Sequence, residues 1–210
     1  MKATFRMTAV GVILMLAPAI SAAPPMRVAL LIDTSAATTS ALPQIRAGVS
    51  AFLDALPPEH EVLLVTTGRH TQVRVPPTTD RAKLKASAGG LLSDSGPTAL
   101  MDALTEVDQR FMRKAGQRWP VFVIITGDGS ENSKDVDEPA FNRWMTDVAR
   151  RGVSVNAIVL KASGTGLPEF IASTLVKATH GHFATMGNGA GIAESMTQLA
   201  GQLAADFNKR

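Results

Sequence analysis

The chain predicts an α/β fold: a doubly wound, mostly parallel six-stranded sheet with helices on both faces and one short antiparallel edge strand. Three observations carry this expectation. Apolar runs alternate with segments of helical periodicity along almost the whole chain. Two of the runs, RVALLI at 27–32 and PVFVII at 120–125, lack the polar alternation of a half-exposed strand and suit strands covered on both faces. The third observation is a turn-sized gap at 68–70 between two short strand-like segments, which reads as a hairpin.

The elements follow in order. Strand 27–32 ends at Asp33. Segment 42–56 carries Leu42, Ile45, Val49, Phe52, Leu53 and Leu56 at helical spacing, and Pro57-Pro58 stops it. Strand 61–66 leads through the turn to a third strand, 72–75, which Pro76-Pro77 is expected to close; a proline pair there fits an edge. A weak, glycine-interrupted helix covers 81–92, and 93–97 forms a loop. Segment 98–114 is a strong helix with Leu100, Met101, Leu104, Val107, Phe111 and Met112 inward. Strand 120–125 runs into Thr126-Gly127-Asp128-Gly129. Helix 138–151 ends at Gly152, strand 153–160 follows, and helix 167–179 begins near Pro168. A short strand, 182–185, and a helix, 192–208, complete the chain.

The composition is that of a globular protein, 45% hydrophobic and 19% charged, and 210 residues suffice for a core without disulfides. Absence of Cys excludes disulfides, thiolate metal sites and cysteine catalysis. Residues 1–23 have the layout of a secretory signal peptide: Lys2 and Arg6, an apolar stretch over 7–16, Pro18, then small residues up to Ala23. The stretch is too short to span a bilayer, so export to the periplasm or beyond is expected, with a retained anchor as the alternative. Residues 24–210 then form one domain without a membrane span. Without Lys2 and Arg6 the chain has 19 basic against 18 acidic residues. No basic stripe interleaved with aromatics is present, which argues against a nucleic-acid partner.

In open α/β sheets, ligands bind beyond the carboxyl ends of the strands, where strand order reverses. Three polar segments are candidates for that rim: Asp33-Thr34-Ser35, Ser95-Gly96-Pro97-Thr98, and Thr126-Gly127-Asp128-Gly129. Asp33, Ser35, Thr98 and Asp128 make a hard, oxygen-rich set suited to Mg²⁺ or Mn²⁺ rather than zinc or copper. The same residues also have structural uses, since Asp and Ser favour turns and Thr98 can serve near a helix N-cap.

Taken in order, Asp33-Thr34-Ser35, Gly96-Pro97-Thr98-Ala99-Leu100 and Asp128-Gly129 resemble a von Willebrand factor A-type domain, notably its bacterial exported members. The likeness covers essentially all of 24–210 and implies a Rossmann-like fold. It also implies a metal-ion-dependent adhesion site at Asp33, Ser35, residue 37, Thr98 and Asp128, with an acidic group of a protein partner completing the cation's shell. Residue 37 is Ala where that pattern has Ser, and a methyl group cannot coordinate a cation. Two functions follow: a binding module using Mg²⁺ or Mn²⁺, or a metal-free structural or interaction domain with a decayed site. A metal-dependent hydrolase ranks third, because Ser35 lacks a nucleophile elbow and an assignable His. His180 and His182 suggest a metal pair only weakly and read better as surface residues. The glycines at 187, 189 and 191 lack the spacing of a phosphate cradle and read as a turn.

Overall fold

The computed structural model describes residues 24–134, 137–161 and 166–210. The expected signal segment 1–23 and most of the glycine loop at 164–166 lie outside them. Among the described residues, β1 (Met26–Ile32), β2 (Glu61–Thr66), β3 (Gln72–Thr78), β4 (Trp119–Gly127), β5 (Ser154–Leu160) and β6 (Phe183–Met186) form one sheet in the order β3-β2-β1-β4-β5-β6. All neighbours run parallel except β2 and β3. The sheet is therefore doubly wound, and its order reverses between β1 and β4.

The apolar runs form central strands because both of their faces are covered. Met26, Val28, Leu30 and Ile32 of β1 point to one face, while Ala29 and Leu31 point to the other. The first face packs against α1 (Leu42–Ala55), α2 (Arg81–Gly89) and α6 (Ile192–Phe207). The second packs against α3 (Leu100–Val107), α4 (Glu138–Arg150) and α5 (Leu167–Thr179). Gly48 lets α1 and α6 approach closely, since a Cβ there would stand 2.5 Å from a methyl of Ile192. Two cores thus clamp one sheet, and its carboxyl rim is fixed from both sides.

Several boundaries differ from the sequence reading. The third strand does not close at Pro76-Pro77 but continues to Thr78. Its pairing with β2 slips around the prolines, from Leu64 opposite Val75 to Val62 opposite Thr78. An edge strand tolerates this because only one side of it must supply ladder hydrogen bonds. The helix expected over 98–114 starts at Leu100 and changes to a π-helical turn over Asp108–Met112. That turn lets the fully buried Asp108 accept from the Arg151 guanidinium at 2.7 Å and from Trp144 Nε1 at 3.2 Å. The last strand is shifted by one residue, to Phe183–Met186. His182 contacts Asp206 at 2.8 Å on the surface, and His180 ends α5 in the left-handed region.

At the opposite end of the sheet from the rim, His60 is buried beside the start of β2. Its Nδ1 accepts from the Met26 amide at 3.1 Å, and its ring meets Phe207 edge-on at 4.9 Å. Burial pushes the imidazole below its ordinary value near 6.5, the positive Arg81 adds to this, and Glu59 opposes it. Only the neutral ring can accept from Met26. With a lowered folded value, His60 contributes its full stability above its ordinary value and loses it as pH falls through the folded value. The melting temperature is therefore expected to drop on acidification through that window. The drop should be shallower in His60→Asn, which keeps an acceptor but does not titrate. Parallel melting curves for the two proteins across that pH range would remove His60 as the cause.

Candidate functional site at the carboxyl rim

The rim is built from backbone outward. Beyond β1, the Asp33 amide donates to Ile125 O at 2.9 Å, and the Thr67 amide donates to Ile32 O at 2.9 Å. Sheet hydrogen bonding thus continues past the strand ends and holds the loops after β1, β2 and β4 side by side. The Asp33 side chain lies wholly buried at the reversal point. Its Oδ1 accepts from the Ser35 amide at 2.8 Å, closing a tight turn, and its Oδ2 accepts from the Gly127 amide at 3.1 Å and Thr126 Oγ1 at 2.9 Å. One carboxylate therefore ties the first loop to the fourth strand. Burial pushes its pKa above the ordinary carboxylate value, and the bonds from Gly127, Ser35 and Thr126 pull the other way.

The other loops are laced to this turn. The Ala36 amide donates to Gly96 O at 2.8 Å, and the Asp94 amide donates to Thr34 O at 3.0 Å. The Thr98 amide donates to Ser130 O at 3.0 Å, and the Asn132 amide donates to Thr98 O at 2.7 Å. The Asp128 amide donates to Leu160 O at 3.1 Å. The structure thus brings the segments carrying Asp33, Ser35, Thr98 and Asp128 to one rim. Ser35 and Thr98 are buried, while Asp128 is half-buried. Thr98 does not cap α3. It sits one residue too early, in a bridge with Glu131, and its hydroxyl donates to the Thr67 carbonyl while contacting Thr67 Oγ1 at 3.1 Å.

The capping falls instead to residues that sequence reasoning left without a role. Glu131 Oε2 accepts from the Leu100 amide at 3.1 Å, and Ser133 Oγ accepts from the Asp102 amide at 3.0 Å. These satisfy two of the amides that open α3. Burial pushes the Glu131 carboxyl up, and its bonds from Ser133 and Leu100 oppose that. Acidic and hydroxyl residues just past an apolar strand were the available signal, but their partner lies 31 residues back. Thr67 and Arg69, in the turn after β2, are further rim residues with no pattern to single them out.

Ala37 occupies the middle of the rim. Its methyl group stands 2.8 Å from where a Cβ on Gly127 would be and 2.6 Å from where one on Gly129 would be. The two glycines leave room for that methyl group. Between the loops lies an open cleft of about 740 Å³, lined by Ser35, Ala37, Arg69, Ser95, Gly129 and Asn132 among others. Ser95 enters it in the left-handed region at φ 54°, a conformation that non-glycine residues seldom adopt.

The strand order, the reversal point and the three-loop rim agree with a family model for the von Willebrand factor type A domain, which matches residues 28–131. The chain belongs to that family. Solved structures share the fold. A von Willebrand factor type A protein from Catenulispora acidiphila superposes with a TM-score of 0.69 at 15% identity, covering 84% of this chain. This chain spans only 42% of that protein's length. BatB from Bacteroides thetaiotaomicron gives 0.65 at 16% identity, over 86% of this chain and 99% of its own. Proximal thread matrix protein 1 from the mussel byssus, described with zinc occupying its metal-ion-dependent adhesion motif, gives 0.66 at 17% identity over 88% of this chain and 47% of its own. At such identities the likeness is one of fold. No curated protein matches the chain in sequence.

Thr98→Val keeps the shape at 98 and removes the hydroxyl. The Thr67 carbonyl still accepts from the Ala99 amide at 3.0 Å, so one of its two bonds survives. The expected cost is about 1 kcal/mol in urea unfolding. A cost within error of zero would mean that the Thr67–Thr98 contact does not help hold the rim together.

Proposed function

We propose that the chain is an exported binding module that engages a protein partner at the carboxyl rim of its sheet and carries out no catalysis. The observation that supports this best is the lacing of three sequence-distant loops around one open cleft. Rigid scaffolding of an accessible rim suits recognition. Family membership supports an interaction role, and the form of residues 1–23 supports export. Among the described residues, no helix is long and apolar enough to cross a membrane. Ser35 bonds to the Asp33 carboxylate through both its amide and its hydroxyl, and among the described residues no histidine pairs with it as in a serine hydrolase.

The donors at the rim fit a hard divalent cation in kind. Ser35, Thr98 and Asp128 would hold Mg²⁺ or Mn²⁺, with Asp33 acting through water. A bound cation would offer a coordination position to an acidic side chain of the partner. The desolvated Asp33 carboxylate favours a nearby positive charge, because burial alone opposes its ionised form. Ala37 supports a second reading, a metal-free interaction domain. Its methyl lies against Gly127 and Gly129 where the family pattern has a hydroxyl, so the set is one oxygen short.

Calorimetric titration of the protein with Mg²⁺ and Mn²⁺ separates the readings. The first predicts saturable heats that vanish in Asp128→Ala. It also predicts a stability gain of about 2.7 kcal/mol at a cation concentration about 100 times Kd. The second predicts cation-dependent stabilisation in Ala37→Ser and none in the natural chain. Identical heats for the natural chain and Asp128→Ala would remove the cation from the rim.

A further inference from the structure

Arg69 lines a second cleft besides the rim. On the outer side of the β2–β3 turn, a depression of about 410 Å³ is bordered by Arg69, His70, Arg74, Thr34, Thr71 and Leu92. Arg69 is thus the wall that the two clefts share. Arg69, His70 and Arg74 are all exposed, and none of them is ion-paired among the described residues. Arg74 Nη1 donates only to the neutral Gln72 side chain, at 2.9 Å. Two permanent positive charges therefore stand on one short hairpin with no carboxylate ion-paired to either among the described residues.

One carboxylate, that of Asp94, borders this cleft and accepts from backbone amides rather than from either guanidinium. Asp94 Oδ2 accepts from the Arg69 amide at 2.6 Å, and its Oδ1 accepts from the Gly96 amide at 3.1 Å. Those bonds fix the Arg69 backbone. Its guanidinium lies close to the backbone of Gly96, where a Cβ would stand 2.9 Å from Nε and 3.3 Å from Nη2. Leu92 closes the far side and is 77% exposed, the most exposed large apolar side chain among the described residues.

We propose that an acidic peptide segment carrying an apolar residue docks along this hairpin. Its carboxylates meet Arg69 and Arg74, its apolar side chain meets Leu92, and its end reaches the rim cleft past Arg69. The inference rests on the reading of the rim as a protein-binding surface and adds to it a contact that needs no metal. Charge and apolar surface lie side by side here, which a free phosphate or a nucleic-acid backbone would not use.

Fluorescence anisotropy tests this with a fluorescein-labelled peptide, Glu-Asp-Glu-Leu-Glu-Asp, and the full domain in EDTA. Saturable binding is expected, weakened about tenfold or more by Arg69→Glu and by Arg74→Glu, since each loses a charge-assisted contact and gains a repulsion. Gly96→Ala, which dislodges the Arg69 guanidinium without altering a charge, should also weaken it. Leu92→Ser, or replacing the peptide's Leu with Ala, should weaken it less. Lys177→Glu, in the last turn of α5, should leave it unchanged. Thermal melts confirm that each variant is folded. Absence of saturable binding overturns the proposal, as does equal weakening by Lys177→Glu or full competition by oligothymidylate. If binding instead requires Mg²⁺ and Asp128 but ignores Arg69, the rim reading stands and the hairpin proposal falls.

Discussion

A single buried carboxylate sets the terms for this molecule. Asp33 sits where the winding of the sheet reverses, and its two oxygens join the end of β1 to the end of β4. Parallel strands leave a crevice at that point because their crossovers depart in opposite directions. Here the crevice is floored by backbone amides that converge on one charge. Everything exposed at the rim is anchored to that floor: the turn carrying Ser35 and Ala37, the Gly96 loop bonded to that turn, and through Thr98 the segment from Ser130 to Asn132.

This arrangement ties the loops of the rim to one another. Loops ordinarily leave their amides to water, whereas these exchange them with one another. The cost lies in the burial of Asp33, whose ionised form is disfavoured by desolvation while the bonds from its donors pull the other way. The two hydrophobic layers do the rest. With α1 and α6 on one face and α3 and α5 on the other, neither side of the crevice can open without exposing core residues such as Ile32 or Ile124.

The fold was legible because its signals are local. Unbroken apolar runs such as 120–125 mark strands buried on both faces, and the hairpin after β2 announces the antiparallel edge. The location of the rim was legible too, since it follows from which polar residues trail the most apolar strands. Pairings across long separations were not legible. Glu131 caps a helix that begins 31 residues earlier, and the Thr98 hydroxyl serves a carbonyl after β2 rather than its own helix. The π-helical turn was hidden because the contacts that accompany it, from Asp108 to Arg151, span 43 residues. Arg69 gave no sign of its place because a lone arginine in a turn has no periodicity.

The prolines of β3 bear on how this domain behaves in a crowd. A sheet edge is a template on which another chain can extend the hydrogen-bonded ladder, and long flat edges seed fibres. Pro76 and Pro77 lack amide donors; consecutive strand residues aim their amides to opposite sides, so one donor is lost from the outer edge, and the slip in register beside them breaks what remains. The two rings next to Val75 therefore make that edge a poor template for a second chain.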